Sequence, residues 1–351
     1  MIRSRFGGLT SAVSLVGGLV ILIAALGAAL VIGETPIPLA TVWNVLRLEA
    51  GYGGVEVDAI DHGILWSYRL PRAILGMACG ASLALSGVVL QALLRNPLSD
   101  PYILGLSAGA STGAVAVAVL GVGAGALTLS GGAFLGALMA FGFVAWLAHL
   151  ARHGGAGATS SLALLLAGVA GAQLFHALTA LIIAKSADAN QARGIMFWMM
   201  GNLSGSRWPD VYIAVPVAVF GAVVIWVHSR ALDAMTFGRE AAQSMGIRAG
   251  RVMAVLIGVS ALLTAVMVSM TGAIGFVGLV VPHAMRFLVG VRHALLIPAT
   301  ALSGGVFLIV ADIVARVLIP GQTLPIGVVT ALVGAPAFAI ILVRSSRAYS
   351  G

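Results

Sequence analysis

The sequence has few charges, because only 9% of its 351 residues are Asp, Glu, Lys or Arg. A typical soluble domain is about 25% charged and about 45–50% apolar, whereas this chain is 60% hydrophobic. So few charges cannot cover a water-facing surface, which excludes a soluble globular protein. The mean hydropathy of +1.08 and a series of long uncharged runs indicate a polytopic membrane protein.

Cysteine is also scarce. The single residue, Cys79, excludes an intrachain disulfide and a metal site built from several cysteines. It lies in an apolar run, so we expect it to act as a small packing residue. We expect no metal site in this chain and no cofactor bound by it.

Several nucleotide-binding and hydrolase motifs are missing. The only lysine is Lys185, and Ile182, Ile183 and Ala184 precede it, so the chain has no GxxxxGK[ST] phosphate loop. HExxH and GxSxG are absent as well. These absences exclude a P-loop ATPase, a zinc protease of that motif and a hydrolase with a nucleophile elbow. We therefore predict a chain that is not itself an enzyme and has no catalytic residues.

The positive charge is scattered, although the formal net charge is +8. Basic residues stand singly at the ends of apolar runs, which is typical of membrane topology and not of a nucleic-acid-binding surface. Placing the N-terminus inside assigns twelve of the 19 Lys and Arg residues to the cytoplasm. The distribution predicts cytoplasmic N- and C-termini and an even number of spans.

Ten apolar segments account for most of the chain, and none alternates as a membrane β-strand does. Helices are then the structures that satisfy the backbone in hydrocarbon, so residues 1–351 are predicted to form one all-α transmembrane domain. Residues 72–110 and 251–289 share a loose sequence pattern, which indicates an inverted repeat. Each begins with an Arg, continues with a Gly-, Ala- and Ser-rich helix and a short break, and ends with a Gly-rich short helix. A cytoplasmic loop is predicted at 233–250. The predicted spans are 9–32, 68–92, 102–121, 126–150, 161–184, 210–228, 251–270, 275–289, 297–318 and 325–343.

Asp312 is the one acidic residue that lies well inside a predicted span. Ion-coupled carriers generally need intramembrane carboxylates, so a secondary transporter remains open as a different class of function. Arg316 follows one helical turn later, a spacing that allows the two side chains to pair. A local ion pair is the simpler interpretation, and a proton relay is the alternative.

Two further segments could carry function. Residues Glu240 to Met245 favour a short helix between Gly238 and Gly246, which is either a solvated connector or an element that enters a groove on a partner. The prolines of the 96–101 loop impose a fixed, non-helical link after the second span. Three arginines fall at outer helix ends, where the topology rule would place none, and they suggest an acidic partner outside: Arg69, Arg72 and Arg316.

Five sequence blocks follow one another between about residue 64 and residue 343. They are RLPRAILGMACGASLALSGVVLQALLRNPLSDPYILGLSAGA at 69–110, FWMMGNLSG at 197–205, GREAAQSMGI at 238–247, TGAIGFVGLVVPHAMR at 271–286, and ADIVAR with LPIGVVTALVGAPAF at 311–338. These blocks resemble the FecCD permeases, which are the membrane subunits of bacterial ABC importers for iron–siderophore complexes, haem and cobalamin.

The resemblance implies a type II importer fold of ten helices in the bacterial inner membrane. It implies a homodimer with the path between the two copies. Two ATPase subunits, which hold ATP and Mg²⁺, would bind on the cytoplasmic side, and a substrate-binding protein would dock outside. No nucleic acid is expected as a partner.

The resemblance also implies roles for individual residues. The residues that would dock the binding protein are Arg69, Arg72 and Arg316. The residues that would couple the chain to the ATPase are Gly238, Arg239, Glu240, Ala241, Ala242, Gly246 and Ile247. The residues that would form the cytoplasmic gate are Asn96, Pro97, Leu98, Thr159, Ser160 and Ser161. The path would be lined by the fifth span, with Leu174, His176 and Leu178.

The cargo is less determined than the machinery. His176 could be read as a haem ligand, but a hydrogen-bonded intramembrane histidine is the simpler interpretation. Residues 191–198 look more like the siderophore-type members of the family. We therefore expect an iron–siderophore complex, with haem and cobalamin as alternatives.

Overall fold

The computed structural model describes residues 3–53, 56–153, 160–186 and 188–349. A π-helical segment at Gly63–Arg69 runs into α4, and a 3₁₀ turn at Pro101–Leu104 precedes α5. The helices in this part of the chain are α1 (Arg3–Val31), α2 (Leu39–Glu49), α3 (Ala59–His62), α4 (Leu70–Leu94), α5 (Leu106–Leu120), α6 (Leu129–His153), α7 (Ser160–Ser186), α8 (Ala189–Met199), α9 (Trp208–Val227), α10 (Ser229–Met235), α11 (Arg239–Ser244), α12 (Ala249–Thr271), α13 (Val277–Val289), α14 (His293–Val317) and α15 (Ile326–Tyr349).

Among the described residues, seven stretches are helical, long and apolar enough to cross a membrane. They belong to α1, α3 with α4, α6, α7, α9, α12 and α14, and three shorter apolar helices, α5, α13 and α15, join them. Each of the ten predicted spans overlaps one of these helices, so the prediction of an all-α membrane protein with about ten helices is confirmed. The third and eighth spans, α5 and α13, are short, with 15 and 13 residues.

Helix α4 is the centre of the bundle, because 20 of its 25 residues are buried. It contacts α9, α12, α13 and α14. Small residues permit this close approach, as is common where membrane helices meet. A Cβ added at Gly80 would overlap the Gly304 carbonyl of α14, and one added at Gly87 would overlap the Gly278 carbonyl of α13.

The inverted repeat is visible in the backbone. Helices α4 and α12 pack together and run in opposite directions, and each is followed by a break and a short helix, α5 or α13. Each short helix is preceded by a residue with left-handed backbone, Gly105 with φ 76° before α5 and Phe276 with φ 69° before α13. The pattern shared by the two sequence segments therefore corresponds to two units that each consist of a long helix, a break and a short helix.

The bundle has two ends. Helix α4 begins beside Arg69 and Arg72 and extends for about 37 Å at 1.5 Å per residue. Helix α14 runs the other way and finishes at this end with Arg316. We call this the arginine end and the opposite one the α11 end, since α10, α11 and the start of α14 meet there.

We expect Gly87→Ala to destabilise the protein, because the added methyl group would overlap the backbone of α13. Overpacking of this kind typically costs about 1–3 kcal/mol. Gly258→Ala is the matched control, since Gly258 is also helical and has open space around it. Thermal unfolding in detergent should show a lower Tm for Gly87→Ala alone. Equal Tm values for the two variants would contradict the close approach of α4 and α13.

Candidate functional site

Asp312 forms the centre of a buried charge cluster at the arginine end. The residue is 3% exposed. Arg72 donates from Nε to Oδ1 at 2.9 Å and to Oδ2 at 3.1 Å, and its Nη2 lies 2.8 Å from Oδ1. Arg316 Nε lies 3.1 Å from Oδ2 without hydrogen-bond geometry, so that contact is ionic. The Asp312–Arg316 pair expected from the sequence is present, and Arg72 is a second partner that sequence reasoning missed.

Arg69 and Arg316 also hold the end of α1. Arg69 Nη1 donates to the Leu30 carbonyl at 2.6 Å, and its Nη2 donates to the Thr35 carbonyl. Both terminal nitrogens of Arg316 donate to the Ala29 carbonyl at 3.2 Å. The last carbonyls of a helix lack intrahelical partners and carry partial negative charge, which is why guanidinium groups stabilise this end.

The 197–205 block completes the cluster. Arg72 Nη1 donates to Ser204 Oγ at 3.1 Å. The turn that carries Ser204 is fixed from both sides, because Asn202 N donates to the Thr271 carbonyl at 2.7 Å and Ile326 N donates to the Gly201 carbonyl at 2.9 Å. Four of the sequence blocks, 69–110, 197–205, 271–286 and 311–338, therefore meet at this end. Ser204 is a residue that sequence reasoning did not single out.

The three arginines are thus largely enclosed. Arg69 and Arg316 are each 7% exposed, and the side chain of Arg72 is 13% exposed. All three have partners inside the chain. Their role in docking a binding protein stays a prediction, and the structure adds that they join α1, α4 and α14 at this end.

Helix α11 is a short exposed element at the other end of the bundle. Gly238, with φ 109°, precedes it, and Gly246, with φ 80°, follows it. The Ile247 amide donates to the Ala242 carbonyl and the Gly246 amide to the Gln243 carbonyl, which is the Schellman arrangement that ends a helix at a glycine. The helix predicted from Glu240 to Met245 is therefore present, displaced by one residue.

The two faces of α11 differ. Ala242 is fully buried, and Ile247 packs against the neighbouring apolar cluster. Arg239 and Glu240 are exposed, and Met245 is 62% exposed. Ala241 is half-buried. An apolar anchor thus holds a charged outward face in a fixed position.

A buried histidine ties this region to α14. Asp233 of α10 accepts from the His293 backbone amide at 2.9 Å and lies 2.7 Å from His293 Nδ1. A carboxylate that faces the first residue of a helix can accept a hydrogen bond from a backbone amide that has no intrahelical partner. Because the last two turns of α14 carry Asp312 and Arg316, one helix connects α10 with the cluster at the arginine end.

The predicted gate loop begins where α4 ends. The Asn96 side chain accepts from the Leu98 amide at 2.9 Å, which fixes the turn at Pro97. Leu98 is 42% exposed. The pKa of the Asp100 carboxyl is raised to about 6, because burial disfavours the charged form. The hydrogen bond that this carboxylate accepts from the Tyr102 amide acts in the opposite direction and is the smaller effect.

The other predicted sites are placed less completely. Of the second gate loop, Thr159 lies outside the described residues, and Ser160 and Ser161 open α7 with side chains outside the description. Leu174 and Leu178 of α7 are exposed at 43% and 38%, and His176 is exposed as well. The gate and path assignments therefore stay predictions.

We expect Asp312→Asn to destabilise the protein, because it leaves Arg72 and Arg316 buried without a counterion. Loss of one partner from a buried charge group costs roughly 3–5 kcal/mol. Glu56→Gln is the control, because Glu56 is an exposed acid that has no hydrogen bond or ion pair with the cluster. Thermal unfolding in detergent should show a clear fall in Tm for Asp312→Asn only. A Tm equal to that of the control would mean that the cluster adds little stability.

Comparison with known proteins gives a consistent result. Residues 20–344 match the FecCD transport family. The cobalamin import system permease protein BtuC of Halobacterium salinarum is 42% identical over 316 residues, which cover 88% of this chain and 80% of that protein. The vitamin B12 import system permease protein BtuC of Salmonella schwarzengrund is 37% identical over 292 residues, with 81% and 84% covered.

A solved structure gives the same answer for the fold. It is described as an inward-facing conformation of a metal-chelate type ABC transporter, and it superposes with a TM-score of 0.79 at 29% identity. The match covers 94% of this chain and 98% of that one. The chain therefore belongs to the FecCD transport family and is a multi-pass permease subunit of an ABC importer.

Proposed function

We propose that the chain is one of two membrane-spanning halves of an importer in the bacterial inner membrane, driven by separate ATPase subunits that hold ATP and Mg²⁺. The single observation that carries this proposal is α11. It is a short helix with an exposed charged face, fixed between two glycines of positive φ and anchored by a buried alanine. Such an element can enter a cleft on a soluble partner and transmit its movement.

The contacts of α10 supply a route for that movement. An ATPase that moves α11 would also displace α10, and Asp233 would pass the displacement to His293 at the start of α14. Helix α14 packs along α4, so the displacement would reach the arginine end through a rigid element. Rigid-body movement of packed helices is a common way to switch between states.

In this proposal the α11 end faces the cytoplasm and the arginine end faces outward, with both termini inside. Docking of a substrate-binding protein then takes place near Arg69, Arg72 and Arg316. Arg72 is the best candidate for direct contact, because its side chain is the most exposed of the three. Arg69 and Arg316 would hold the helix ends that form the docking surface.

We further propose a homodimer whose path is lined by α7. In the most apolar stretch of α7, only 22% of the residues are buried within the chain. The other residues of this stretch face lipid or a second copy. Leu174, His176 and Leu178 lie on this exposed part.

The proposed cargo is a bulky metal chelate. Two relatives are named as cobalamin or vitamin B12 permeases, and the solved neighbour is of the metal-chelate type. Cobalamin is therefore the first cargo to test. The preference for an iron–siderophore complex, which rests on residues 191–198, stays a prediction beside it.

We expect Glu240→Lys and Gly246→Val to reduce cargo uptake per ATP hydrolysed while leaving the bundle folded. Valine at a left-handed position costs about 1–2 kcal/mol locally, and both changes act on α11 alone. Coupling energies of the usual size predict a loss of roughly fivefold or more. The measurement is uptake and ATP hydrolysis by the reconstituted complex, with Glu56→Gln as control.

Reconstitution of the chain into lipid vesicles without the ATPase tests the class of transporter. The chain without an ATPase should accumulate nothing against a gradient. Accumulation by the chain alone, abolished by a protonophore, would contradict the proposal and support an ion-coupled carrier.

We expect vesicles that contain the complete complex to take up labelled cyanocobalamin, because the two relatives named as cobalamin or vitamin B12 permeases are 42% and 37% identical to this chain. Competition among cobalamin, haem and a ferric siderophore provides the measurement. Uptake of the siderophore alone would contradict the cobalamin assignment and support the prediction from residues 191–198.

A further inference from the structure

A cavity of about 810 Å³ lies at the α11 end. It is bounded by the end of α4, the connection from α10 to α11, the second half of α13 and the start of α14. This volume is within the range of ligand-binding pockets in proteins. Its charged and titratable lining consists of Arg95, Arg286, Arg292, His283, His293 and Asp233.

The positive charge of this cavity is not compensated within the described residues. The one carboxylate of the lining, Asp233, is engaged by His293. Arg286 Nη1 donates to the neutral Gln91 Oε1 at 2.5 Å. No described Asp or Glu forms an ion pair with Arg95, Arg286 or Arg292. The arginine end differs, because there Asp312 and helix carbonyls pair with each guanidinium group.

Arg95 occupies a strained backbone position. It follows α4 with φ 50°, a left-handed conformation that glycine adopts without steric cost. The hydrogen bonds from Arg95 N to the Ala92 carbonyl and from Asn96 N to the Gln91 carbonyl form the Schellman arrangement. Its guanidinium lies close to Gly238 at the start of α11, where an added Cβ would be 3.4 Å from Nη1. An arginine where glycine fits better points to a use for its charge.

The rim of the cavity is apolar and exposed. Phe237 is 75% exposed and directly precedes Gly238, and Val291 is 70% exposed. An arginine-lined hollow with an aromatic rim has the composition of protein interfaces, where aromatic residues and Arg are enriched.

We propose that this cavity receives a segment of the ATPase subunit that bears Asp or Glu side chains, as a second docking point beside α11. The inference rests on the proposed function. Continuity favours this partner, because Phe237 and Arg95 join the cavity to the surface of α11 that the ATPase would bind. Arg presents a bidentate fork to carboxylates, and complementary charge would fix the register of the two subunits.

The test uses the full-length chain in lipid nanodiscs and its ATPase subunit. Arg95→Gly removes the charge and also suits the backbone at φ 50°, so loss of folding does not confound it. Arg292→Gln removes a second charge at the rim. Arg230→Gln is the matched control, because Arg230 is an exposed residue of α10 that does not line the cavity.

The combined Arg95→Gly and Arg292→Gln variant should bind the ATPase roughly tenfold more weakly or worse. The difference from the control should shrink at high salt, because screening weakens exposed charge pairs. Unchanged affinity would overturn the inference. If Glu240→Lys weakens binding while the cavity variant does not, the proposed function stands and only this inference fails.

A cross-linking measurement identifies the occupant. Val291→Cys places a thiol on the rim, and the one natural cysteine, Cys79, is buried. A cross-linked ATPase peptide that contains Asp or Glu supports the inference. A cross-linked peptide without acidic residues overturns it. It is also overturned if native mass spectrometry shows that the cavity variant loses a bound anionic phospholipid while its ATPase affinity is unchanged.

Discussion

The close approach of α4 to its neighbours is the constraint on which the rest of the structure depends. Gly80 and Gly87 allow the backbone of α4 to touch α14 and α13, and a single methyl group at either position would push the helices apart. Dispersion and small-residue packing hold membrane helices together, because lipid supplies no hydrophobic force between them. The position of α4 in turn sets Arg72 against Asp312 at one end and Arg95 beside α11 at the other.

The two ends of the bundle differ in whether their arginines have carboxylate partners within the described part of the chain. At the arginine end, guanidinium groups are enclosed, paired with Asp312 and bound to the carbonyls that end α1. At the α11 end, arginines line an open cavity and have no described carboxylate as partner. Under the proposed function, the permease needs a rigid frame as well as a surface that can still bind a soluble partner. The uneven compensation of charge corresponds to these two needs.

Much of the fold could be predicted from the sequence. Hydropathy located ten helices, and the glycines at 238 and 246 bounded α11, because a left-handed backbone at a helix end strongly favours glycine. The spacing of Asp312 and Arg316 predicted their ion pair. Hydropathy did not reveal the short helices α2 and α8, which are not long apolar runs. The enclosure of Arg69 was also missed, since an arginine at a helix end reads as exposed in a sequence.

The sequence by itself determined the all-helical membrane class, the short helix α11 and the family, because these depend on local composition, helix-end residues and ordered motifs. Only the tertiary structure decided which charges are paired. Arg72 and Asp312 are 240 residues apart, and Asp233 and His293 are 60 apart. Contacts over such separations depend on how helices pack side by side, which no local pattern records. The cavity beside α11 belongs to the same category, since it forms where four separate segments meet.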